Sequence, residues 1–134
     1  MRTELLNSPA MVYQKVGRQS EIQGASPHKL IELLLAGAIK NIAMARAAIE
    51  DNDIESRGQS INRSIDIVNE LRNALDLDKG GDIAGNLERL YMYIEQTLVN
   101  AHLNVDIQSL DIASGLVTDL LTTWQEIKGH SLAD

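Results

Sequence analysis

Apolar residues crowd the stretch from 26 to 49. Leu30, Ile31, Leu33, Leu34, Leu35, Ala38, Ile39, Ile42, Ala43, Met44, Ala45, Ala47, Ala48 and Ile49 leave only a narrow charged stripe. At 3.6 residues per turn they cover about 180° of a helix, where a surface helix needs roughly 100°. Such a helix has to be covered on two sides, either at the centre of a bundle or by keeping apolar surface for another polypeptide. Ser26 can cap its free amides, and Pro27 suits the first helical position, where no N–H is needed. The helix should end near Asp51 to Asp53.

Three further helix-length segments follow. Ile54, Ile61, Val68 and Leu75 recur every seven residues, with Ser64 and Leu71 on adjoining rows, and form the packing seam of a second helix. Asp76 to Asp82, containing Gly80 and Gly81, reads as a reversal with a fresh N-cap at Asp82. A third helix sets Leu87, Ile94 and Ala101 beside Ile83, Leu90 and Thr97 and beside Ala84, Tyr91 and Leu98. Asn104 to Asp106 form the last joint, and Leu110, Val117 and Trp124 align with Ala113, Leu120 and Ile127 in a fourth helix to about residue 128. No segment alternates with the period of a strand. Helices of about 22 to 25 residues on short joints predict an all-α, antiparallel, up-down-up-down four-helix bundle. The expected organisation is an N-terminal arm at 1–25, flexible or carrying a short helix, the bundle at 26–128 and a flexible tail at 129–134.

Composition narrows the function. The 134 residues suffice for one core, and without cysteine there is neither a disulfide framework nor a thiolate metal site. A net charge of −7 repels nucleic-acid phosphates, and 3% aromatic content without phenylalanine removes the stacking platforms of single-strand binders. No run is long and apolar enough for membrane insertion, and Met1 to Ser8 lack a signal-peptide pattern, so the expected location is the cytosol.

Candidate chemistry is sparse. A di-metal carboxylate bundle needs Glu-x-x-His pairs, and none occurs; His28, His102 and His130 are dispersed. The run Asp76-Leu-Asp78-Lys-Gly80-Gly81-Asp82 starts like a calcium loop but has Gly80 at the fifth position and Leu87 where a bidentate glutamate belongs. A phosphotransfer bundle would present one exposed histidine midway along a helix, whereas His28 reads as a solvated first-turn residue and His102 as a cation at a helix end. No catalytic residue, metal or cofactor is expected. The remaining signal is apolar surface off the seams: Ile39 and Ala43, Ile67 and Ala74, Met92 and Tyr93, and Ile112, Leu116 and Leu121. These residues are either ordinary scatter or the wall of a groove for a peptide.

The blocks Tyr13-Gln-Lys-Val16, Ser20-Glu-Ile-Gln-Gly-Ala-Ser-Pro-His-Lys-Leu30, Leu75-Asp-Leu-Asp-Lys-Gly-Gly81 and Asn86-Leu-Glu-Arg-Leu-Tyr91 resemble the flagellar secretion chaperone FliS family over about residues 10 to 128. The resemblance implies a non-enzymatic cytosolic chaperone that binds the C-terminal segment of flagellin, keeps it unpolymerised and presents it to the flagellar type III export gate. An antisigma factor or a co-chaperone is a further candidate partner. It also implies that the N-terminal arm covers part of the client surface, with Tyr13 as the leading contact residue. The expected partner-binding set is Tyr13, Val16, Ile39, Ile67, Tyr93, Ile112, Leu116 and Leu121. One departure is Leu35, where the family often has phenylalanine.

Overall fold

The computed structural model describes Val12, Tyr13 and residues 26–131, with side chains placed as far as Ile127. Four helices follow one another: α1 (Pro27–Glu50), α2 (Ile54–Asn73), α3 (Leu77–Asn104) and α4 (Ile107–Ser131). Joints of two or three residues turn each helix back on its predecessor. Packing runs α1 on α2, α2 on α3, α3 on α4 and α4 on α1, closing a four-helix bundle of the expected type. Among the described residues, no strand is present.

Local signals set the helix ends. The Ser26 hydroxyl accepts the Lys29 amide at 3.1 Å with Pro27 just inside α1, as the sequence requires. Asp53 caps α2 by accepting the Ser56 amide at 3.1 Å, a bond that holds its carboxyl below the usual carboxylate range. At the start of α4, Asp106 accepts the Gln108 amide at 3.0 Å and the Ser109 hydroxyl at 3.0 Å.

The reversal expected at Asp76 to Asp82 is instead an extra helical turn. Asp76, not Asp82, caps it by taking the Lys79 amide at 3.0 Å. Leu77 to Gly80 are already helical when Gly81, at φ 58° and ψ −138°, breaks the path before α3 continues. The aspartate one residue after Leu75 captures the free amides first, so the glycine kinks a helix instead of ending one.

The inward stripes match the seams. Ile61, Val68, Leu71 and Leu75 of the second seam are buried with Ser64, as are Tyr91, Ile94, Leu98 and Ala101 of α3 and Leu110, Ala113, Val117 and Trp124 of α4. Ile54 departs from its row: in the first turn of α2 it lies beyond the packed length and is 69% exposed. The crowded α1 buries Leu30, Ile31, Leu35, Ala38, Ile42 and Ala45 against its two neighbours and leaves Leu33 and Met44 half exposed.

Two glycine substitutions should have opposite signs. A Cβ at Gly81 would meet no atom within 4 Å, so the cost of Gly81→Ala is backbone strain alone, about 1–3 kcal/mol of lost stability. Gly115 lies inside α4 with equally open space, and Gly115→Ala should stabilise by about 0.5–1 kcal/mol. Urea unfolding followed by circular dichroism checks both.

Candidate functional site

Antiparallel packing brings the first turn of α1 against the late turns of α4, where His28 and Trp124 meet. Their rings stack at 4.4 Å with planes 11° apart. Two bonds tie them reciprocally: His28 Nε2–H donates to the Trp124 carbonyl at 2.9 Å, and Trp124 Nε1–H donates to the His28 carbonyl at 2.9 Å. Both residues are buried, so His28 is not the solvated first-turn residue that its place in the sequence suggests. A helix start exposed in isolation is covered here by another helix.

Tyr13 closes over this pair. It sets its ring edge against Trp124, with centroids 5.2 Å apart and planes at 83°, and is only 4% exposed. Its hydroxyl is hydrogen-bonded to the buried hydroxyl of Tyr91 on α3. One residue earlier, the Val12 carbonyl accepts the Asp76 amide at 2.8 Å, joining the arm to the α2–α3 joint. A void of 30 Å³ remains beside the ring, lined by Leu35, Leu87, Leu120, Thr123 and Ile127 together with the aromatic residues. Burial raises the pKa of both tyrosines above the ordinary 10.0, and for Tyr13 the neighbouring Tyr91 pushes the same way.

A second feature lies along α3. Met92, Gln96, Val99 and Leu103 follow an i, i+4, i+7, i+11 pattern and, with Ile65 of α2, line an open groove of 590 Å³. Met92 and Val99 are about half exposed and Leu103 is 72% exposed. Its polar rim includes Asn100 and the ion pair of Arg72 with Glu95, at 2.7 Å and 3.4 Å. The α1/α4 flank is strapped at both ends instead, by Arg46 with Asp111 at 2.9 Å and by Gln125 with Glu32 at 3.1 Å.

The residues expected from sequence are dispersed over this scaffold. Tyr13 is seated as described, and Val16 lies outside the described residues. Ile39, Ile67, Leu116 and Leu121 are half-buried against the core, while Tyr93 and Ile112 are exposed at 52% and 48%. None of the seven described residues of this set lines the α3 groove. Of that groove the off-seam pattern singles out only Met92; Val99 and Leu103 follow from it at seven and eleven residues, a second stripe beside the inward seam. Tyr91 reads as core from sequence, and nothing in one sequence pairs its hydroxyl with residue 13.

Comparison with known proteins converges on one family. A family model described as flagellar protein FliS matches residues 9–131. The chain is 40% identical over 115 residues to the flagellar secretion chaperone FliSB of Pseudomonas aeruginosa, covering 86% of this chain and 91% of that protein. It is 37% identical over 116 residues to the flagellar secretion chaperone FliS of Salmonella typhimurium, covering 86% of each. Against the Bacillus subtilis protein of the same name, identity is 27% over 121 residues, covering 90% of this chain and 86% of that protein.

The tyrosine pair generates two expectations. Tyr13→Phe strands the Tyr91 hydroxyl and should cost about 1–2 kcal/mol in urea unfolding, while adding Tyr91→Phe should recover part of the loss. Because both folded-state pKa values are raised, the pair's contribution is complete below pH about 10, where unfolded tyrosine begins to ionise, and is lost as pH climbs toward the higher folded values. Tyrosinate absorbance at 295 nm should therefore show two late-ionising groups in the wild type.

Proposed function

The chain belongs to the FliS family of flagellar secretion chaperones, and on that premise we propose that it captures the disordered C-terminal segment of flagellin and carries it to the flagellar export gate. The observation that carries this reading is the open apolar groove between α3 and α2. A disordered segment cannot bury its own apolar residues, so it meets the ordering cost when it folds onto a surface that offers them cover. Met92, Val99, Leu103 and Ile65 offer that cover, and Tyr93 and Ile112 extend the partner surface around the bundle.

The arm's seat is the second part of the client surface. Tyr13 is held by its buried ring and one side-chain hydrogen bond, and in this reading a client exchanges with it without unfolding the bundle. In this scheme Tyr13 guards apolar surface until flagellin arrives. The work is reversible binding in the cytosol with no bond made or broken; among the described residues, no helix is long and apolar enough to cross a membrane.

Calorimetry with full-length flagellin and with flagellin lacking its C-terminal segment tests the main claim: binding should fall at least a hundredfold for the truncated form, and equal binding would refute tail capture. Val99→Asp and Leu103→Asp should each weaken the full-length complex roughly tenfold or more while changing stability by less than about 0.5 kcal/mol, since both side chains are exposed. Tyr13→Ala should tighten it several-fold by removing the arm's own claim on the seat.

A further inference from the structure

Building on the shared-seat reading, we infer that the client segment replacing the arm carries a hydroxyl or carboxamide side chain that hydrogen-bonds the Tyr91 hydroxyl, on a backbone whose carbonyl takes the Asp76 amide. The floor of the seat is not uniformly apolar. Tyr91 is fully buried on α3, and among the described residues the partner of its hydroxyl is Tyr13. When the arm lifts, water can reach that hydroxyl. When a client then covers the seat, water is expelled again and the hydroxyl needs a new partner from the client.

The walls narrow the choice. Leu35, Leu87, Leu120 and Ile127 line the space with uncharged Thr123 and the aromatic rings, so an ionised carboxylate or ammonium entering it would find no counter-charge. An aliphatic side chain fits the walls but leaves the hydroxyl unpaired. A ring or chain of tyrosine or glutamine length with a neutral polar end satisfies both, as Tyr13 does now. The second anchor is the Asp76 amide, held at 2.8 Å by the Val12 carbonyl. Amide and hydroxyl are served by consecutive arm residues, so an occupant repeating both bonds presents a carbonyl one residue before its polar side chain. Tyr91 thereby becomes a specificity-determining residue, selecting which stretch of a mostly apolar client enters the seat.

The test uses the full chain with the cognate flagellin C-terminal segment as a synthetic peptide. Tyr13→Ala removes the competing ring, and the comparison is between Tyr13→Ala and Tyr13→Ala/Tyr91→Phe. On the order of tenfold weaker binding by the double variant is expected, because the client's polar group loses its partner. Equal or tighter binding overturns the inference. Should Tyr13→Ala itself bind like the wild type, the shared-seat reading fails, and that result is separate from the comparison between the single and double variants. If Tyr91→Phe perturbs folding, NMR on the wild-type complex decides: contacts from the Tyr91 ring to a client hydroxyl or carboxamide side chain support the inference, and contacts to aliphatic client side chains alone refute it.

Discussion

The indole of Trp124 has an N–H that must find an acceptor once buried, and the acceptor comes from a carbonyl 96 residues away, at the start of the first helix. The His28 ring returns the bond from the same turn and stacks on the indole, so the two helices are locked in register at this end with two hydrogen bonds and one ring contact. Everything at the arm's seat is measured from that lock. If α1 slid by one turn against α4, about 5 Å, the His28 ring would leave the indole and the surface that Tyr13 packs on would lose its backing. The preference of sequential helices for antiparallel packing gives the bundle, but this polar pair chooses one register of it.

Away from the lock the bundle treats its flanks unequally. On the α1/α4 side, Arg46 with Asp111 and Gln125 with Glu32 lie across the helix junction. These contacts are exposed and contribute little stability, yet their long side chains shade the apolar residues beneath. On the α2/α3 side the bridge is Arg72 with Glu95, and past it Val99 and Leu103 are left to solvent. In a chain with a net charge of −7, a surface left this oily at one place is a distribution that stability alone does not require. The proposed capture of a client gives that distribution a purpose.

Much of the architecture was legible because it rests on periodicities and caps that act within a few residues. Ser26-Pro27, the seven-residue rows and the short joints each act locally, and each reappears in the folded chain, with Ile54 at the end of its row left exposed. The segment from Asp76 to Gly81 was harder, since two possible caps compete there and the outcome turns on which carboxylate reaches an amide first. The site was least legible. An off-seam position such as Ile67 or Leu121 looks free on a helical wheel, but whether a neighbouring helix covers it depends on crossing geometry, and both proved half-buried. Conversely, Val99 and Leu103 reveal themselves only once Ile65 from another helix stands beside them. The partnership of residues 13 and 91 lies 78 positions apart and has no local signature at all.

The chain contains a single tryptophan, and the fold has placed it between the stacked imidazole of His28 and the edge of Tyr13. Indole emission responds to both ring neighbours and polarity, so departure of the arm changes the environment of the protein's one strong fluorophore without any label. The molecule thus carries a built-in optical gauge of the packing around Tyr13 and His28, readable by stopped-flow on the unmodified chain.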